Sequence, residues 1–419
     1  MMISKQAARL IDRGVTIPNP HSVEIGEEVD PGRISGDGVV LYSGTKLYGA
    51  KTLISAHAKL GYEAPVTVVN CQLGRGVELK GGFFKESVFL EKANMACGAQ
   101  IREACILEEE ANGSHTVGLK QTILFPFVTL GSLINFCDCF MAGGTSRKNH
   151  SEVGSSYIHF NYTPNQDKAT ASLIGDVPRG VMLDQPPIFL GGQGGLVGPA
   201  RIGFGTVIVA GTVYRGDSPE GNRLLRQGNG ETDTPFYPGF YGEVYRRVGN
   251  NICYLANLTA LKQWYLHVRK PFFDGLESGA ELYAGALEKL DMALKERLKR
   301  FEALAEKMDG SLSVGEKMRE GPKKDSLLTQ QRALRDNWPE IRASFDRNTG
   351  EAVAGDLRDS FLADVRAAVE NAGGSYIDTI QSLNAESRAA GTAWLQSIVN
   401  DMTREILEII PAFGSQGEA

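Results

Sequence analysis

His150 stands in the polar stretch Ser146-Arg147-Lys148-Asn149-His150-Ser151-Glu152. An imidazole titrating near neutral pH could take a proton there, while Arg147 and Lys148 hold an anionic substrate. Plain solvation in a surface loop is the competing reading. The six cysteines at 71, 97, 105, 137, 139 and 253 form no Cys-x-x-Cys pair. They read as small apolar core side chains in a reducing compartment. Cys137-x-Cys139 is a poor chelate, because residues two apart on a strand share one face with little room. No metal is expected.

A formal net charge of −6 with no long basic run argues against nucleic acid. The basic clusters Lys295–Arg300 and Lys317–Lys324 read as solvated faces. Met1-Met2-Ile3-Ser4-Lys5-Gln6 lacks the apolar core of a secretory signal, and no apolar run approaches the ~18 residues of a membrane span. A cytoplasmic protein without a membrane partner is the resulting expectation.

The elements that must position His150 announce themselves by repetition. Leu190, Leu196, Ile202, Ile208 and Tyr214 recur every six residues, and Leu41, Leu47 and Leu53 form a second run. Leu73 and Leu79 give a third. A period of six suits neither an amphipathic helix nor a simple alternating strand. It suits a solenoid whose short strands each send one side chain inward, with glycines at the corners. The 49 glycines fall mostly before residue 250. Residues 84–130 keep Val88, Leu90, Ile101, Ile106 and Ile123 without strict spacing, so loops or bulges are expected to interrupt the coils. Residues 216–250 read as an extended Pro/Gly/Asp loop.

Beyond about 276 the spacing becomes helical, as in Leu287, Leu290, Leu294, Leu298, Phe301, Ala305 and Met308, closed by Gly310. Further helices are predicted over 325–346, 356–371 and 376–410. The fold expected is mainly β. A connector helix (1–22) precedes a parallel β-helix of hexapeptide repeats with inserted loops (23–275), and an α-helical domain (276–419) follows.

Residues 8–230 resemble the acetyltransferase half of the bifunctional bacterial enzymes that make UDP-N-acetylglucosamine. The resemblance rests on Ala8–Thr16 with Val23-Glu24-Ile25-Gly26, on Phe160-Asn161-Tyr162 with Lys168 and Leu173-Ile174-Gly175-Asp176, and on Leu196–Gly203 with Val209-Ala210-Gly211-Thr212. It implies a left-handed coil, a hand on which the spacing itself is silent. It also implies a homotrimer with sites between subunits, and transfer of an acyl group from acetyl-CoA or another acyl-CoA to an amino-sugar phosphate or nucleotide sugar. Asn161, Tyr162 and Lys168 match substrate-binding positions. Ala210 matches a small residue along the pantetheine arm, and Arg226 matches an arginine that contacts coenzyme A. The family's uridyltransferase loop has no counterpart, so UDP-sugar synthesis by this chain alone is not expected.

At the family's catalytic histidine the chain has Asp138, and at its tyrosine partner Met141. The family lysine falls within Leu124–Phe127, and its asparagine appears as Glu152. Asp138 or His150 would have to serve as base, Asp138 only if burial raised its pKa. The second reading is therefore a non-catalytic nucleotide-sugar-binding protein or trimeric scaffold. Zinc-dependent carbonic anhydrases share this fold class, but His57, His115, His150 and His159 lack the close pair such a site needs.

Overall fold

The computed structural model describes residues 3–159, 165, 168–226, 236–318, 324–371 and 374–414. A short helix, α1 (Lys5–Asp12), leads into a parallel β-solenoid of about 11 turns over residues 24–225. A helical region follows.

Most solenoid strands are two to four residues long, and one residue of each turns inward. On the first face Leu47, Val68, Phe84, Ile101, Leu119 and Phe136 pair in succession, all buried. On the second, Ile54, Leu73, Phe89, Leu107, Leu124 and Met141 do the same. The third carries Leu41, Leu60, Leu79 and Met95, then Leu130, Val153, Leu190 and Ile208. Stacking these columns keeps a continuous aliphatic core out of water.

The middle coils are not interrupted as expected from sequence. Phe84, Ile101, Leu119 and Phe136 stay in register at 17 or 18 residues per turn, so a corner loses a residue and the pairing survives. Corners are built from left-handed residues. Asn70, Glu86, Ala104, Gln121 and Asp138, with φ from 46° to 59°, mark the corner between the first and second faces. Larger insertions come later, between Met141 and Glu152 and between Ile174 and Phe189.

Helices begin at α3 (Val244–Trp264), after the four-residue α2 (Val177–Gly180) inside the solenoid. Residues 244–275, expected in the β-helix, are therefore largely helical. Their apolar residues are spread almost all round α3, which leaves no single stripe to read. Next come α4 (Gly279–Glu306), α5 (Met308–Glu316), α6 (Lys324–Asp336), α7 (Trp338–Arg347), α8 (Gly355–Asn371), α9 (Tyr376–Ser382) and α10 (Ala385–Ile409). Gly310 lies within α5 and closes no helix. The expected helix 376–410 is broken where the Asn384 side chain accepts the Ser387 N–H at 2.8 Å and caps α10. Pro339 lies in the first turn of α7, where no side chain caps the helix, and 325–346 is split there.

The helical region packs on the second face. Outward residues there are apolar as well as inward ones: Val88, Ile106, Ile123, Phe140 and Leu173 pair in register and are at most 3% exposed. Helix α4 covers the strands Gln72–Leu73, Ser87–Phe89 and Cys105–Leu107. It approaches closely because Gly285 has no side chain; a Cβ there would lie 2.5 Å from Gln72 Oε1. Each buried outward aliphatic or aromatic side chain contributes about 1.5–3 kcal/mol. No helix among the described residues is long and apolar enough to cross a membrane.

Candidate functional site

Asp138 sits at a left-handed corner with φ 55°, where the first and second faces meet. Its carboxylate accepts a hydrogen bond from Arg297 Nη2 of α4 at 2.7 Å, and the Arg297 side chain is only 2% exposed. Burial pushes the Asp138 carboxyl up, and the Arg297 guanidinium pulls it back down. Arg297 also donates to the Lys168 carbonyl at 3.2 Å. The structure thus brings Asp138 and Lys168 together around one guanidinium from the helical region. Arg297 belongs to the Lys295–Arg300 cluster expected to be a solvated face. Burial of an arginine is tolerable here because the corner supplies its carboxylate.

Near Lys168, Lys307 Nζ donates to the Asn165 carbonyl at 3.0 Å. Burial, and then the nearby cations Lys168, Arg247 and Arg300, lower the Lys307 ammonium. Basic side chains from α3 and the end of α4 therefore gather beside Lys168; Asn161 and Tyr162 lie outside the described residues.

His150 lies elsewhere. It ends a small antiparallel hairpin, Gly144–Ser146 with Asn149–His150, inserted between the second and third faces. Arg147 folds the hairpin back by donating to the Phe127 carbonyl and Thr129 Oγ1, both at 2.8 Å. His150 Nδ1 is 3.4 Å from the Ser151 carbonyl, and the residue is half-buried. Asp138 and His150 are a dozen residues apart in sequence, yet the strand Cys139-Phe140-Met141 runs the width of the second face between them. Within one chain they do not meet.

Ala210 and Arg226 share a third location. Ala210 follows the strand Val207–Ile208, which pairs with Leu224–Leu225 in the next turn. Val209 N–H donates to the Leu225 carbonyl at 3.0 Å, so Arg226 extends one turn above the Val209-Ala210 corner. Ala210, Gly211 and Arg226 are all exposed. Gly211, with φ 76°, has nothing within 4 Å of where a Cβ would stand. This corner is an open shelf of small residues beside a cation, a shape that admits a narrow chain ending in phosphates.

Two buried clusters gave no catalytic signal in the sequence. The Tyr265 hydroxyl donates to Glu108 Oε1 at 2.6 Å, and Arg269 makes a forked pair with Glu109 at 2.5 and 3.2 Å. Arg269 lies 3.6 Å from the Tyr376 ring centroid. The run Glu108-Glu109-Glu110 beside apolar strands was the only available hint. Cys137 and Cys139 flank the Asp138 corner and so belong to different faces, and all six cysteines are free. Among the described residues no group of three His, Cys, Asp or Glu side chains could hold a metal.

Stacked short parallel strands around an aliphatic core, with a six-residue repeat, define a hexapeptide-repeat β-solenoid. The chain is 25% identical over 216 residues to the bifunctional protein GlmU of Thermotoga maritima, covering 51% of this chain and 43% of that protein. The GlmU of Carboxydothermus hydrogenoformans is 26% identical over 216 residues (52% and 43%), and that of Nitratidesulfovibrio vulgaris strain DP4 24% over 231 (54% and 45%). The chain spans less than half the length of these curated relatives. No family model matches it. Likeness and solenoid together fit a GlmU-like hexapeptide-repeat acetyltransferase domain.

Proposed function

We propose that the chain is an acyl-CoA-dependent N-acyltransferase connected with UDP-N-acetylglucosamine biosynthesis, acting on an amino-sugar phosphate or nucleotide sugar. The observation that carries this reading is the exposed Ala210-Gly211 shelf with Arg226 one turn above it. The shelf takes the pantetheine arm and Arg226 the phosphates of acetyl-CoA or another acyl-CoA. Lys168, with Lys307 and Arg300 nearby, holds the acceptor's phosphate, and Asn161 and Tyr162 orient its hydroxyls. The sugar amine attacks the thioester carbonyl; the C–N bond forms, the C–S bond breaks, and the amine proton leaves to a base. His150 is the better base, because Asp138 is already paired with Arg297. These groups lie at separate corners of one chain, so the reading requires a homotrimer in which neighbouring subunits close the site.

Titration calorimetry with acetyl-CoA tests it. Saturable binding that is lost in Arg226→Ala, and thiol release with an amino-sugar phosphate that is lost in His150→Ala, are the expected results. Absence of binding at about millimolar acetyl-CoA, equivalent to less than about 4 kcal/mol of affinity, removes the mechanism for that donor.

The Asp138–Arg297 pair favours a second reading, a non-catalytic nucleotide-sugar-binding or scaffold protein. In that case the position of the family's base has become a fastening point for the helices. Acetyl-CoA binding without thiol release from any amino-sugar acceptor would select it.

A further inference from the structure

Between α3, α10 and the last turns of the solenoid lies a cleft of about 950 Å³. That is the upper end of the range for small-molecule sites. It opens beside Arg201 and belongs to neither the Ala210 shelf nor the Asp138 corner.

The charges in this cleft are already matched. Arg201 lies 3.6 Å from Asp217, and Asn250 donates to both Asp217 oxygens at 3.1 and 3.3 Å. Arg246 pairs with Glu243 at 2.9 Å and also donates to the Pro199 carbonyl. Arg404 pairs with Asp401, with Glu408 3.9 Å away. Asp217 and Glu408 line the cleft with these three guanidiniums, and Glu243 and Asp401 pair with Arg246 and Arg404 from beside it, so each guanidinium already has a carboxylate partner. Ile252, Val399 and Phe413 are 0%, 7% and 4% exposed, so the apolar lining left open to a ligand centres on Tyr245 and the half-buried Leu407.

What the cleft offers is an apolar floor with one exposed aromatic ring, edged on one side by neutral hydrogen-bonding groups. Tyr245 is 41% exposed, its ring stacked on Phe413 at 6.2 Å and 10°. Along α10 stand Gln396, Asn400 and Thr403, with Gln396 Nε2 donating to Asn400 Oδ1 at 2.8 Å. Amides, hydroxyls and paired ions both donate and accept. A sugar ring combines an apolar C–H face with hydroxyls of the same dual character. We infer that this cleft binds an uncharged saccharide, with Tyr245 under the ring and the α10 amides on its hydroxyls. The inference is independent of acyl transfer at the Ala210 shelf.

Saturation-transfer NMR and calorimetry on the full chain test it, using a panel of neutral hexoses, N-acetylhexosamines and their disaccharides. Octanoate and inorganic phosphate serve as counter-probes. At least one sugar should bind saturably and weaken about tenfold in Tyr245→Ala and in Asn400→Leu. Its affinity should be unchanged in Arg226→Ala and in about 0.5 M salt. Both cleft substitutions fall at exposed positions, and melting curves check that each variant is folded; Asn400→Leu alone suffices if Tyr245→Ala is not. No sugar binding up to about 100 mM overturns the inference. So does binding indifferent to the cleft variants, or binding of octanoate or phosphate alone.

Discussion

At Asp138 two roles compete for one carboxylate. A base needs a lone pair free for the incoming proton, whereas this carboxylate accepts from Arg297 at 2.7 Å. Removing one partner of a buried pair leaves the other charge uncompensated, at a cost of about 3–5 kcal/mol. Asp138→Ala should therefore lower the urea-unfolding free energy by about that amount, and adding Arg297→Leu should recover part of it. A variant that kept full stability but lost thiol release would return Asp138 to the chemistry. Glu108 carries a pH signature. Burial pushes its carboxyl up to about 7, against the pull of Arg269 and the Tyr265 hydrogen bond, with Glu109 pushing the same way as burial. A folded pKa above the unfolded value means that folding favours the protonated form. That contribution is fully present below the ordinary glutamate range and is lost as pH rises through about 7. Melting temperature should fall between about pH 5 and pH 8, and Glu108→Gln should flatten the decline. A rise over the same interval would mean that Glu108 is ionised and paired with Arg269.

At the scale of elements, the second face decides how the two halves adhere. Val88, Ile106, Ile123, Phe140 and Leu173 point away from the solenoid core and are buried only because α3 and α4 cover that face. Phe140, stacked on Phe125 at 5.5 Å and near Tyr254 at 6.0 Å, links solenoid to helix. Phe140→Ala should cost about 3–5 kcal/mol in chemical unfolding. Ile106→Glu, which buries an unpaired charge at the same seam, should let limited proteolysis cut between solenoid and helices while the inner columns stay protected. Protection unchanged from the parent chain would mean that the α4 seam contributes little.

For the whole molecule, covering the second face within one chain leaves the first and third faces for self-association. The third presents Phe189, Val207 and Leu224 in register, 39%, 37% and 63% exposed. Light scattering should give the mass of three chains if the proposed function is right, and Val207→Asp should reduce it to one. Acyl transfer should fall with the trimer, since no single chain assembles its corners. A monomeric parent chain would count against a site shared between subunits.

The six-residue spacing of Leu190, Leu196, Ile202, Ile208 and Tyr214 determined the solenoid by itself, because one inward side chain per short strand is a local pattern that packing must respect. The helical spacing after 276 determined helices for the same reason. Periodicity could not reveal α3, whose buried residues surround it, nor the register of coils whose lengths depart from three hexapeptides. The Ala210–Arg226 shelf was half legible, since the two residues lie about one uninterrupted turn of three hexapeptides apart. The separation of Asp138 from His150 was not legible. A few residues of strand can run the width of a face, and sequence distance does not record which corner a residue occupies. The fate of Arg297 was equally hidden, because whether a cation meets water or a carboxylate depends on what the other half of the chain brings against it.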